Sequence, residues 1–397
     1  MKSMERFHRC MHYQHVDHVV DMEFGYWDEV HLLWQKEGLP SGFTMQENLE
    51  ERFGLDTRFL PTEAQLRHEK MELYFGLERR YRPPINTLLE PEFTVEEVDV
   101  RDGYRYYYDN DHVLCRVPTD GLTTMPEHID YPLKSRKDWE TLFKPRLDPD
   151  TPGRYPDDLA GHMKLIVSKD YMPWLYVGSL FGRIRNFVGF EQICYMTHDD
   201  PDLIDEIIQH LADLTCEVLG QTLPLIEGRV LIGHFWEDIC FNTGPMISPE
   251  FFNNHVVPCY VQVTDVLRDY GIDTVIVDCD GWIGPLIRGW LNSGVNVMFP
   301  LERAGGSDPV MLRKKYGPQL LLMGGVDKRN IALGGDAIIR DLDYLAPLVE
   351  EGGFIPHCDH LCPADVTLEK YRYYLKKKRE IFGIPAREER IRIYPND

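Results

Sequence analysis

No stretch of the 397-residue chain reaches the roughly 18 uninterrupted apolar residues of a membrane span, so no transmembrane helix is expected. Positive charge is short: 43 Lys and Arg stand against 65 Asp and Glu, a formal net charge of −22. That sign argues against bulk binding to nucleic-acid phosphates and against an anionic membrane surface. The nine cysteines are scattered and form no CxxC. An odd, unpatterned set in a long chain reads as reduced thiols of the cytoplasm, not as a disulfide framework. The opening Met1-Lys2-Ser3-Met4-Glu5-Arg6-Phe7-His8-Arg9 runs into polar sequence, so no signal peptide is expected. No GxGxxG follows the first apolar run, which removes the usual mark of a dinucleotide fold. Low-complexity segments and short repeats are missing as well.

What is present is an ordinary globular composition, 43% hydrophobic and 27% charged. The N-terminal third is polar and aromatic. Between about Phe93 and Pro118, Val98-Asp99-Val100, Tyr104–Tyr108 and Val113–Val117 are separated by Asp-Gly and Asp-Asn-Asp, which predicts a small antiparallel excursion. Pro- and Asp-rich sequence from Pro145 to Asp158 reads as a connection. Beyond it short apolar runs alternate with helical patterns. The runs are Leu165–Val167, Trp174–Val177, Val230–Ile232, Thr274–Val277, Val295–Phe299, Leu320–Met323 and Gly353–Ile355. Helices are expected at Pro201–Leu225, Pro249–Tyr270, Pro285–Asn292, Pro309–Tyr316 and Ala337–Glu350. Asp200-Pro201 and Ser248-Pro249 place a capping side chain before a first-turn proline. With Val19–Phe24 as a first strand, the alternation predicts a (β/α)8 TIM barrel of the α/β class. It would form one domain over residues 1–385, with the excursion at about 93–118 and a tail at 386–397. Lys376-Lys377-Lys378-Arg379 reads as the solvated end of the last helix.

In a barrel the chemistry sits at the C-terminal ends of the strands. Those ends carry Asp21–Trp27, Gly178–Gly182, Gly233–Asp238, Asp278-Cys279-Asp280-Gly281, Pro300-Leu301-Glu302, Gly324–Asp327 and His357-Cys358-Asp359-His360. Carboxylates, imidazoles and aromatic rings recur there. Asp278 and Asp280, two apart on a strand, should face one side, with Cys279 turned away into packing. The plainer readings are helix caps for the two aspartates, a solvated turn for Glu237-Asp238 and a salt bridge for Glu302. For Phe24, Tyr26, Trp27 and Phe181 the plainer reading is core.

Several of these motifs resemble the uroporphyrinogen decarboxylase-like superfamily over nearly the whole chain, from Arg6 to about Phe382. They are Gly178-Ser179-Leu180-Phe181-Gly182, Gly189-Phe190-Glu191 with Asp199-Asp200-Pro201, Glu237-Asp238 before Gly244–Glu250, and Asp278-Cys279-Asp280-Gly281. Gly325–Arg329 and the closing Asp359-His360 complete the set. The resemblance implies a (β/α)8 barrel and one of two chemistries: cofactor-free decarboxylation, or methyl transfer with a corrinoid protein. The decarboxylases carry arginines after the first strand to clamp substrate carboxylates. Here Met22–Trp27 has none and adds a negative charge, which disfavours that branch.

The methyltransferase branch binds zinc through His-x-Cys and a late Cys. Those positions align with Asp278, Asp280 and His360. Glu302, 22 residues after Asp280, resembles in spacing a glutamate ligand of cobalamin-independent methionine synthases. The resemblance thus implies a zinc or other divalent metal site at Asp278, Asp280, Glu302 and His360; a metal-free proton-handling cluster is the other reading. It further implies demethylation of a methyl ether, such as a methoxylated aromatic, with the methyl passed to the cob(I)alamin of a partner corrinoid protein. No Asp-x-His-x-x-Gly cobalamin motif occurs in this chain. In that role Asp278, Asp280, His360 and Glu237 are the catalytic candidates. Phe24, Tyr26, Trp27, Phe181, His234 and Asp238 are the substrate-binding ones. A homodimer is compatible. A catalytically inactive ligand-binding or scaffold barrel is the reading from outside the enzymes.

Overall fold

The computed structural model describes residues 1–40, 59, 61–120, 126–229 and 232–389. In chain order its strands are β1 (Arg80–Tyr81), β2 (Glu96–Arg101), β3 (Tyr104–Tyr108), β4 (Leu114–Pro118), β5 (Glu127–Asp130), β6 (Met172–Tyr176) and β7 (Ile232–Trp236). There follow β8 (Cys240–Phe241), β9 (Gly244–Pro245), β10 (Thr274–Asp278), β11 (Val297–Phe299), β12 (Leu321–Val326) and β13 (Phe354–Cys358). Seven of them form one curled parallel sheet in the order β1-β6-β7-β10-β11-β12-β13. Every residue of β6, β10, β12 and β13 is buried. Strands covered on both faces read as continuous apolar runs, which is why the sequence exposes them.

The helices follow their caps. The Asp200 carboxylate accepts from Leu203 N–H and Pro201 opens the 22-residue helix Pro201–Thr222. That helix buries Leu203, Ile204, Ile207, Ile208, Leu211, Val218 and Leu219, a stripe at helical spacing. Ser248 and Asp308 cap the helical segments that begin at Pro249 and Pro309 in the same way. No helix among the described residues is long and apolar enough to cross a membrane.

Three expectations are corrected. Leu165–Val167 is not a strand: it ends the helix Leu159–Ser168, whose buried Leu159, His162, Met163 and Ile166 have a helical period and whose N-terminus is capped by Asp158. The sheet is a TIM-like, seven-stranded one, not a closed barrel of eight. Residues 19–23 are buried beside it, with Phe24 half-buried, but residues 19–24 join no ladder. Asp21 C=O accepts from Glu78 N–H, and the Glu23 carboxylate, in place of backbone, accepts from Cys358 N–H at 2.9 Å. Lastly, Lys378 is fully buried, donating to Glu23 Oε1 at 2.7 Å and Met22 C=O at 2.8 Å, while Arg379 pairs with Asp21 at 2.8 Å. The basic run therefore anchors the last helix, Leu368–Ile381, to the first acidic segment; only Lys376 is fully exposed.

The excursion is a separate antiparallel sheet in the order β2-β3-β4-β5, one strand longer than the 93–118 reading. Its first hairpin turns on Asp102 (φ 52°) and Gly103 (φ 78°), the left-handed pair that a two-residue turn requires. Val230 and Leu231 of the expected third run, and the tail from residue 390, lie outside the described residues.

Candidate active site

Strand alternation gathers the ionisable and aromatic side chains. Residues two apart share a face, so β1 and the residue after it present Arg80 and Arg82, β6 presents Trp174 and Tyr176, and the end of β10 presents Asp278 and Asp280. His234 of β7 sits between the last two groups, with ring centroids 5.6 Å from Trp174 and 6.1 Å from Tyr176. Its Nε2 is 3.7 Å from Asp278 Oδ2.

Asp238, Asp278 and Asp280 converge, each offering an oxygen within 4.8 Å of the others. Asp238 stands at φ 49°, a left-handed conformation that aspartate tolerates better than most residues. The turn sends the Asp238 carboxylate to Asp280 N–H at 3.2 Å, while the preceding Glu237 points the other way. Burial, reinforced by Asp280, pushes Asp238 up to about 6. Burial and the charges of Asp238 and Asp280 raise Asp278 well above the carboxylate range. Crowded acids cannot all ionise, so the cluster holds a proton near neutrality.

His360 Nε2 lies 3.2 Å from Asp280 Oδ2. Burial opposes its charge, but the Asp280 bond outweighs it and raises the imidazole above its usual value. Trp27 stacks on His360 at 5.6 Å and 25°, and Phe24 meets it edge-on at 5.8 Å. Burial beside Arg80 and Arg82 drives His234 down to about 3, so it is neutral. Cys279 faces away, its sulfur accepting from Ile239 N–H at 3.4 Å.

The remaining candidates lie elsewhere. Both Glu302 oxygens are engaged: they accept from Lys328 Nζ at 2.6 Å and Gly281 N–H at 3.2 Å, and Glu302 is not in the three-carboxylate group. Glu237 is fully buried and caps the helix Phe181–Val188, accepting from Leu180, Phe181 and Gly182 N–H at 2.8, 3.1 and 2.7 Å. Phe181 has no exposed surface and packs edge-on against Phe251. Tyr26 is buried among Trp34, Phe75 and Tyr371, its hydroxyl 2.9 Å from that of Tyr371.

Arg80, Arg82 and Trp174 are not among the expected site residues, and Asp359 is read only as part of the last strand-end motif. Asp359, pushed up to about 6 by burial, accepts from Arg303 N–H at 2.8 Å and Lys328 N–H at 3.0 Å, fixing the loops that carry Glu302 and Lys328. The signal for the arginines was Arg79-Arg80-Tyr81-Arg82 itself, a charged run ahead of Pro83-Pro84 with no apolar stretch to mark a strand.

No protein-family model matches the chain, and no curated protein matches it. Among solved structures, a methyltransferase from Methanosarcina mazei matches with a TM-score of 0.58 and 14% identity, over 96% of this chain and 99% of that chain. At that identity the likeness is one of fold, shared over essentially the full length of both chains.

Proposed function

We propose that the protein moves a methyl group from a methyl ether, of the methoxylated-aromatic type, to the cob(I)alamin of a partner corrinoid protein. The observation that carries this reading is the convergence of Asp238, Asp278, Asp280 and His360 beside the rings of Phe24 and Trp27. The fold likeness to a protein named a methyltransferase supports it.

An ether oxygen is a poor leaving group. When the C–O bond breaks, its electron pair stays on that oxygen, which must receive a proton or its equivalent. Asp278 or His360 supplies the proton; the methyl carbon takes its new bond from the acceptor's electron pair. A positioned acid is worth roughly 10²–10⁴ in rate. Trp27 and Phe24 hold a flat substrate against His360.

The three carboxylates also fit a divalent cation such as zinc. Asp280 Oδ1 is buried without a partner, and the donors lie within 4.8 Å of one another. Asp238, Asp278 and Asp280 would hold the ion, with His360 beside Asp280. An ion held there would supply Lewis-acid polarisation of the leaving oxygen.

The test is anaerobic: mix the protein with cob(I)alamin or a reduced corrinoid protein, offer a panel of methoxylated aromatics, and follow loss of the Co(I) absorption band. Loss with one donor class supports the proposal. No loss with any donor, using a competent corrinoid protein, overturns it. Arg80 and Arg82 keep decarboxylation of an acid as a second reading, which release of CO2 without methyl transfer would favour.

A further inference from the structure

Among the described residues, two groups of metal-ligating side chains lie outside the candidate active site. One, Asp109, Cys115 and His128 in the small antiparallel sheet, is already engaged. Asp109 accepts from Asp111 and Val113 N–H at 2.9 and 2.8 Å, and the Cys115 thiol, with no exposed surface, donates to the same carboxylate at 3.7 Å. The other group is His8, His12 and Asp273, each offering a ligand atom within 4.8 Å of the others.

The first helix, Ser3–Met11, and the residue that ends it supply the two histidines. His12 N–H still bonds His8 C=O at 3.0 Å, so helical spacing puts both imidazoles on one face. Their ring centroids are 4.0 Å apart at 36°. Asp273 comes from the residue before β10, 261 residues after His12. Asn296 Nδ2 donates to its C=O at 2.8 Å, and Thr274 Oγ1 donates to its Oδ1 at 3.3 Å. Its Oδ2 faces His12 Nε2 at 3.0 Å.

The His12 ring decides the chemistry. Its Nδ1 lies 2.7 Å from His8 C=O, an acceptor that calls for the N–H there. A neutral imidazole then has only a lone pair at Nε2, facing a carboxylate oxygen that is also an acceptor. A positive charge has to join them: a second proton on the ring, or a cation. A proton serves His12 and Asp273 alone. It gives no role to His8, whose ring nitrogens take no hydrogen bond among the described residues. A metal ion uses all three. Ligand atoms about 2.0–2.2 Å from one tetrahedral ion stand roughly 3.3–3.6 Å apart, so small side-chain adjustments admit it. An N–H bond from the far ring nitrogen to a carbonyl is also the outer support that metal-bound histidines carry.

We propose that His8, His12 and Asp273 form a divalent-metal site of the zinc type, completed by solvent, that pins the first helix to the start of β10. Two imidazoles favour zinc over magnesium or calcium. The His12 and Asp273 side chains are 29% and 56% exposed, so an ion enters from solvent. Arg9, the next cation in the helix, pairs with Glu5 at 2.9 Å. The site lies at the other end of β10 from Asp278, about 16 Å along the strand, and does not rest on the methyl-transfer reading.

Equilibrium dialysis of the full, untagged chain, first freed of metal by chelation, against micromolar zinc tests this. His8→Gln, His12→Gln and Asp273→Asn should each weaken this zinc by about 100-fold or more, beyond the roughly 10–100-fold that an outer partner is worth. Asp280→Asn should leave it bound, which separates it from an ion at the three-carboxylate group. In that Asp280→Asn background saturating zinc should raise the melting temperature by roughly 2–5 °C, and adding His8→Gln should abolish the rise. His8→Gln removes no hydrogen bond of the His8 side chain, so in chelator it should melt with the wild type. Zinc uptake indifferent to His8→Gln would overturn the site and leave a proton between His12 and Asp273. Uptake lost entirely in Asp280→Asn would overturn it too, and displacement of the zinc by equimolar magnesium would overturn the imidazole ligands.

Discussion

Replacing Glu237 separates a cap from a catalyst. Its carboxylate satisfies three backbone donors at the start of the helix Phe181–Val188, where Leu180 offers no capping side chain. Glu237→Ala would strand all three in a buried place. Water cannot easily replace the carboxylate, because the helix start is pressed against β7: a Cβ built on Gly182 would lie 1.9 Å from Glu237 C=O. Each stranded donor costs about 1–3 kcal/mol, and partial relaxation suggests a total of about 3–5 kcal/mol. Glu237→Gln keeps one carbonyl acceptor and should cost about 1–2 kcal/mol. Urea unfolding followed by circular dichroism reads both, and the midpoints should order wild type, Gln, Ala. A Glu237→Ala protein with an unchanged midpoint and abolished methyl transfer would refute the capping argument and put Glu237 in the chemistry.

Four further outcomes follow from the geometry. His360→Ala should lower demethylation by about 10²–10⁴ with substrate binding retained, and an unchanged rate would remove it from the site. Lys378→Met leaves the buried Asp21 and Glu23 carboxylates short of a cation and should destabilise the fold by about 3–5 kcal/mol; a loss under 1 kcal/mol, read by the same unfolding assay, would contradict the buried network. His357, fully buried, is held down to about 3 from 6.5, so the unfolded chain binds its proton first. Its contribution is complete above pH 6.5 and lost as pH falls toward 3: between pH 7 and 5 the wild type should lose about 2 kcal/mol more than His357→Gln. Parallel slopes would count against it. Equilibrium dialysis against zinc should show Asp280→Asn weakening uptake strongly and Glu302→Gln sparing it, since Lys328 and Gly281 N–H occupy Glu302; the reverse order would place the ion at Glu302.

Much of the fold is readable in the chain because of how it is buried. Thr274–Asp278 and Leu321–Val326 lie in the interior of a parallel sheet, and two covered faces demand unbroken apolar runs. The helix beginning at Pro201 announces itself through Asp200, its proline and its apolar stripe. Where those signals are weak the reading slips. The three apolar residues Leu165–Val167 look like a strand, but Asp158 and the buried positions from Leu159 onward commit them to a helix. β1 is only Arg80–Tyr81, with no apolar run at all, and it brings the arginines.

The site divides along the same line. Residue order alone collects Asp278, Asp280, Asp238 and His360 at strand ends, because alternation and the barrel pattern are local properties. Which charges neutralise one another is not local. Lys378 reaches back across the chain to Glu23, Lys328 claims Glu302, and Glu237 turns outward to the helix at Phe181. Those pairings are settled by distance and by the cost of burying an uncompensated charge, and both exist only once the sheet has curled. The same folding sets Arg80 against the Trp174 ring and the Phe24 carbonyl, and Arg82 over the Tyr176 ring. A list of residues cannot show which buried charges are matched; only the packed structure can, because it is packing that removes the water which would otherwise have served them.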